Sequence, residues 1–206
     1  RLVQGSGRTE TTFHFELIDV PIVNAFASPG GLIVAFSQLM LHAETESELA
    51  GVLSHEIAHV TQRHIARRME STIEDILPIL LGTVALAVAT QGQGDGAQAA
   101  LAGGMALMQQ RQINFTRDNE HEADRVGIQT LARAGFDPSG MSGFFARIGN
   151  LHRTQGEKPP EYLQTHPVTA TRVAEAKARA DKLRVDTQKA SSLEFALMRE
   201  RLRVRS

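Results

Sequence analysis

The sequence predicts an α+β fold, predominantly helical, with a small N-terminal β-sheet ahead of a helix carrying His55-Glu56-Ile57-Ala58-His59. Two observations predict it. Residues 13–37 hold a period-two apolar pattern and further short apolar, partly β-branched runs, whereas from residue 45 onward apolar side chains recur at helical spacing. A length of 206 residues with 42% hydrophobic content suits one domain, residues 1–206, with a sizeable core.

The sheet is read from three runs. Phe13, Phe15 and Leu17 alternate with His14, Glu16 and Ile18, which predicts a strand with at least one buried face. Ile22 to Ala27 follows Pro21, and Leu32 to Phe36 follows the turn cluster Ser28-Pro29-Gly30-Gly31, so the three runs form a sheet containing a hairpin. A sheet edge offers unpaired amides and carbonyls to an extended peptide, and Asn24 is a candidate substrate-binding side chain there; the alternative is a plain structural hairpin.

Thr45 and Glu48 make a capping box ahead of Leu49, Val52, Leu53 and Val60, which predicts an active-site helix over 45–70. Residues four apart share a helix face, so His55 and His59 present two imidazoles to one metal ion, while Glu56 stands about 100° round, placed to take a proton from water on that metal. The alternative is a core-facing helix whose histidines are merely hydrogen-bonded. An HExxH pattern inside a capped amphipathic helix favours the metal.

Residues 76–108 form two apolar arms around Gln91 to Gly96, predicting a helical hairpin. Each arm falls short of the roughly 20 residues that cross a bilayer, and Pro78 and Gly82 interrupt the first. A buried or lid-like hairpin is the first reading; a membrane-touching one is the second. Thr116 caps a helix over 116–135 that Gly135 and Pro138 stop. On it Glu120 and Asp124 share a face and Glu122 points away. Met141, Phe144, Phe145, Ile148 and Leu151 predict a further core helix, then a polar loop from Gln155 to Pro160. The C-terminal helices occupy 166–206, the first opening at His166-Pro167 and the last starting near Thr187.

Hydrolytic zinc takes three protein ligands. After His55 and His59, Glu120 is the candidate third, with Asp124 one turn on accepting the spare N–H of a ligand imidazole, His55 for preference; His121 is read as a bystander. One Zn2+ per chain is therefore the expected cofactor. The absence of cysteine excludes disulfides, thiolate zinc sites and cysteine nucleophiles. A net charge of -1 without basic clustering disfavours a nucleic-acid partner, and none is expected. Arg1 to Thr12 has no apolar signal core and no initiator Met, as expected of a processed product.

Four stretches in this order carry a family resemblance: Asn24 to Gly31, His55 to Arg67, Glu120 to Arg125, and Thr165-His166-Pro167. Together they resemble the gluzincin metallopeptidases that include HtpX and the CaaX prenyl proteases, closest to the soluble periplasmic chaperone-protease branch. The resemblance spans about residues 13–202. It implies a zincin-like metalloprotease fold, with His55, His59 and Glu120 on zinc, Glu56 as catalytic base, and Asp124 behind the ligands. It further implies that His166 sits over the metal as a switch, taking the water position in a latent state, and that Arg172 of the His-Pro-x-x-x-x-Arg pattern supports the site. The expected function is zinc-dependent cleavage of misfolded or unassembled envelope proteins in the bacterial periplasm, with His166 or Tyr162 as oxyanion donor after a shift. The alternative is a chaperone or assembly factor with a largely latent zinc site. Implied partners are polypeptide substrates, and contact with a membrane surface or the outer-membrane assembly machinery.

Overall fold

A computed structural model describes residues 1–8, 10–89, 95–155, 159–183 and 190–205. The chain divides into two compact units, one of Arg1–Gln62 with His121–Ser206, the other of Arg63–Glu120.

The first unit opens with a short helix, α1 (Leu2–Gly5), and a three-stranded sheet of β1 (His14–Ile18), β2 (Ala25–Ala27) and β3 (Leu32–Phe36) in the order β1-β3-β2. β2 and β3 are the expected hairpin, antiparallel with Phe26 opposite Val34, while β1 runs parallel to β3 with Phe15 opposite Ile33. Gly30 and Gly31 turn the hairpin at φ 88 and 89, a region a side chain rarely enters. β1 corrects the expectation of a buried face. All five of its residues are exposed, because it lies at the edge of the sheet.

After α2 (Ser37–His42) comes α3 (Glu46–Thr61), started as expected by Thr45, whose hydroxyl accepts the Glu48 N–H at 3.1 Å. The single helix expected to residue 70 is broken. Gln62 caps α3 by donating its N–H to Ala58 O at 2.9 Å, Arg63 turns the chain at φ 56, and α4 (His64–Ala89) begins anew. No Gly or Pro marks the break, so residue spacing alone could not find it.

Behind α3 lie the second half of α5 (Asp95–Arg133), α6 (Ser139–Gln155), α7 (Glu161–Thr165), α8 (Ala170–Leu183) and α9 (Leu193–Arg203). Val52, Ile128, Leu131, Met141, Phe144, Phe145, Ile148 and Tyr162 form the core with Leu39, Leu49 and Phe195. Two glycines let the helices close up. A Cβ on Gly51 would come within 2.8 Å of Met141 N, and one on Gly127 within 3.1 Å of His55 N and Ser54 O, so α6 and α5 both approach the metal-motif helix backbone to backbone. α5 ends as expected at Gly135, with Phe136 N–H on Leu131 O at 3.1 Å.

Three helix starts differ from expectation. Thr116 lies mid-helix and donates to Gln112 O at 2.9 Å, so α5 begins at Asp95. α8 opens at Ala170 with Thr169 accepting the Arg172 N–H at 3.2 Å, and Pro167 precedes it in a loop. The last helix is capped by Ser192, while the expected start near Thr187 falls outside the described residues. The polar-loop residues 156–158 and the side chain of Leu151 also fall outside them.

The second unit is an arm of α4 and the first part of α5. Its glycine-rich tip, residues 90–94, is outside the described residues. α4 continues through Pro78 rather than stopping there. Of the buried or lid-like hairpin expected here, the buried form is corrected: Ile73, Leu77, Leu80, Leu81 and Val88 of α4 and Met105 of α5 are exposed, since two helices can cover only one face of each other. Among the described residues no helix is long and apolar enough to cross a membrane.

Candidate metal centre

His55 and His59 occupy successive turns of α3, Glu120 and Asp124 successive turns of α5, and His166 the C-terminal end of α7. His55, His59, Glu120 and His166 each offer one ligand atom, and these atoms lie within 4.8 Å of one another. His55, Glu56, Glu120, Asp124, His166 and Arg172 are all buried.

The electrostatics can be built from Asp124 outward. Burial acts to raise its pKa, but the Arg172 hydrogen bonds and then the His55 contact outweigh it, and the carboxyl is held below its ordinary range. Arg172 binds it with both arms of the fork, Nε to Oδ2 at 2.7 Å and Nη2 to Oδ1 at 2.8 Å. Asp124 Oδ1 stands 2.9 Å from His55 Nδ1, within ion-pair distance though not aligned as a hydrogen bond; an ionised carboxylate has only lone pairs, so a proton between them belongs to the imidazole. Neutral His55 then carries a bare lone pair on Nε2. His59 Nε2 lies 3.0 Å and His166 Nδ1 3.3 Å from that atom.

This donor set fits a metal. Three imidazole nitrogens and a carboxylate oxygen converge here, and a cation can take a lone pair from each. With Zn–N bonds of about 2.0–2.1 Å, nitrogens on a tetrahedral zinc lie about 3.3 Å apart, close to the separations found. Glu120 adds the hard oxygen that such sites accept.

Glu56 has both oxygens buried with no hydrogen bond among the described residues, and His166 Nε2 lies 3.4 Å from Oε1. A buried carboxylate left without a donor is costly, and such groups concentrate where chemistry needs them. His121 meets Glu175 at 3.2 Å and Glu122 meets Arg125 at 3.4 Å, so both acidic-helix neighbours of Glu120 have partners elsewhere.

The model of peptidase family M48 matches residues 1–180. The chain belongs to peptidase family M48. It is 43% identical over 204 residues to a beta-barrel assembly-enhancing protease of Yersinia pestis, covering 97% of this chain and 41% of that protein. The corresponding protein of Escherichia coli (strain K12) is 44% identical over 188 residues, 89% of this chain and 38% of its own length. The mitochondrial metalloendopeptidase OMA1 of Arabidopsis thaliana is 31% identical over 161 residues, 73% of this chain and 28% of that protein. The chain thus spans about two fifths of the length of the assembly-enhancing proteases it matches. The resemblance read from the motifs and the metallopeptidase class agree with this family, as does a helical α+β fold with a small sheet.

Three features around the M48 motif escape a reading by spacing. Phe145, one of several core-spaced apolar residues, stands edge-on to the His55 ring at 6.2 Å and under the Arg172 guanidinium at 5.0 Å. Tyr162 is wholly buried, with its ring 5.0 Å from His166 and 5.8 Å from Phe144. α7, which carries both Tyr162 and the His166 cap, lies in a stretch for which residue spacing predicts no element; Pro160 and Glu161 at its start are the local signal. Asn24 is buried, and its Oδ1 accepts the N–H of Ala25 at 2.9 Å, so that oxygen is engaged within β2.

Proposed function

We propose that this chain is the proteolytic part of a zinc endopeptidase, with His55, His59 and Glu120 as metal ligands and Glu56 as the general base. The convergence of four ligand atoms within 4.8 Å beside a buried glutamate carries the reading. When bound, zinc supplies Lewis acidity that polarises a carbonyl and acidifies water. Glu56 takes the proton from the attacking water and hands it to the leaving amide nitrogen. Asp124 keeps the proton on His55 Nδ1 and so keeps Nε2 free to ligate. Arg172 holds Asp124 ionised and oriented.

The substrate lies along the β2 edge turned away from β3. Phe36 N–H bonds Asn24 O at 3.0 Å and Ser28 N–H bonds Leu32 O at 2.8 Å, so the even-numbered residues bond β3 and the backbone groups of Ala25 and Ala27 turn away from it; Ala25 is wholly buried with its N–H on Asn24, which leaves Ala27 as the accessible end of that edge. Asn24 acts in this reading by shaping that edge through its bond to the Ala25 amide, with its amide group as the remaining donor. His166 would hold the site latent as a fourth donor to a bound metal. Withdrawn from it, His166 or Tyr162 would serve as oxyanion donor.

Glu56→Gln tests the mechanism. The variant is expected to bind zinc as the parent does and to lose cleavage of casein; full activity in it sinks the proposal. His166→Ala is expected to raise basal cleavage, and an unchanged rate with unchanged metal affinity removes His166 from the site.

Relatives named as beta-barrel assembly-enhancing proteases support substrates that are misfolded or unassembled polypeptides of the bacterial envelope, a periplasmic location, and contact with the outer-membrane assembly machinery. A second reading, a chaperone-like factor whose zinc site stays mostly latent, is favoured by the exposed apolar arm. Suppression of aggregation that persists in Glu56→Gln and is lost when Leu77, Leu80 and Leu81 become serine would support it. The same arm supports contact with a membrane surface, which co-sedimentation with lipid vesicles measures.

A further inference from the structure

Arg172 uses its guanidinium on two parts of the site at once. Nε and Nη2 hold Asp124, and Nη1 donates to the Pro167 carbonyl at 2.8 Å. Asp124 fixes the ring of His55; Pro167 follows His166 directly in the chain. The guanidinium is 2% exposed and lies over Phe145, so water cannot replace a lost partner. The other end of the His166 segment is also pinned, by Tyr162 N–H on Val23 O at 3.1 Å and His166 N–H on Tyr162 O at 2.8 Å.

We infer that Arg172 is a positioning residue that clamps the His166 loop to the Asp124–His55 pair, so that the fourth metal donor and the orientation of a permanent ligand are set together. A planar fork with three fixed acceptors has little freedom to follow one of them. When the loop withdraws, either Nη1 gives up its 2.8 Å bond to the Pro167 carbonyl or the guanidinium moves and drags Asp124 from His55. Departure of His166 is thereby coupled to a looser grip on the metal. This rests on the reading of His166 as the fourth donor.

The test uses the chain loaded with Co2+, whose visible absorption reports the ligand set, and measures metal dissociation constants by competition with a chelator. Arg172→Lys keeps the charge but cannot bridge both partners. Its dissociation constant is expected to rise about 10- to 100-fold, and its absorption to move the same way as that of His166→Ala. Asp124→Asn removes the acceptor of two of the three guanidinium bonds and turns an amide donor toward them, so it is expected to weaken metal binding and to shift the absorption in the same sense as Arg172→Lys.

An Arg172→Lys spectrum identical to the parent, alongside a shifted His166→Ala spectrum, overturns the clamp. So does an Asp124→Asn spectrum identical to the parent, because Asp124 would then not be the anchor through which Arg172 holds the loop. An unshifted His166→Ala spectrum overturns instead the fourth-donor reading beneath it. Should Arg172→Lys lack a cooperative melt, the Asp124→Asn spectrum carries the test: a shift in the sense of His166→Ala supports the clamp, and a parent-like spectrum overturns it.

Discussion

Helices α3 and α4 follow each other with two residues between them, and both are rich in apolar side chains, yet they meet opposite fates. From Ser47 to Ala58, α3 is buried nearly all round, polar groups included, whereas α4 exposes Ile73, Leu77, Leu80 and Leu81. Size explains part of this. α3 offers Ala50, Gly51, Ser54 and Ala58, which let α5 and α6 approach its backbone, and the large residues on those partners fill the space above. α4 presents long aliphatic chains on several faces and has α5 as its neighbour within the arm. Apolar character therefore does not decide burial; shape does. The helix that holds the candidate chemistry is the enclosed one.

Substitutions along the two helices sharpen this contrast. The largest effect is expected at Glu56, where glutamine should lower kcat/KM for casein by about 10²–10⁴-fold, with folding unchanged by circular dichroism. Next is Ile57→Ala, which empties a fully buried position and should cost about 2–5 kcal/mol in denaturant unfolding. Leu77→Ser on α4 should stay within about 0.5 kcal/mol in the same measurement. If Leu77→Ser destabilises as much as Ile57→Ala, the arm is covered in solution and the contrast fails.

Between these lies a pH effect at the start of α3. Glu48 is buried, accepts the Glu44 N–H at 2.8 Å and meets Arg147, which also pairs with Glu44. Burial pushes its carboxyl up to about 7, with the Thr45 amide working in the opposite direction. Because the folded value lies above the unfolded one, near 4.5, the folded state binds the extra proton. Stability is expected to fall as pH rises from about 4.5 to about 7, and Glu48→Gln to flatten that slope in thermal melts. Asp124 has the opposite sign. Its folded pKa is depressed, so its contribution is present above the unfolded value of 3.8 and is lost as pH falls through the folded one. The difference follows from the partners: Arg172 grips Asp124 with two bonds and His55 adds a third contact, while burial dominates at Glu48 and also lowers the pKa of Arg147. Stability that rises from pH 4.5 to 7 in the parent but not in Glu48→Gln would mean that the Arg147 ion pair outweighs burial there.

Much of the site was legible because its information is local. Four-residue spacing on a helix brings His55 and His59 together, and likewise Glu120 and Asp124, whatever the rest of the chain does. The capping residue Thr45, the turn at Gly30-Gly31 and the stop at Gly135 are also backbone requirements written into single residues. What residue spacing could not supply is every relation between segments. Arg63 breaks a helix without any breaker residue, and β1 stays exposed although its pattern is that of a buried strand. The meeting of Pro167, Arg172, Asp124 and Phe145 draws on three helices and a loop, and the cost of burying a charge is settled only when all its partners arrive. Periodicity acts over a few residues and is readable in the chain; the pairing of distant donors and acceptors is a property of the packed interior, and only the tertiary structure decides it.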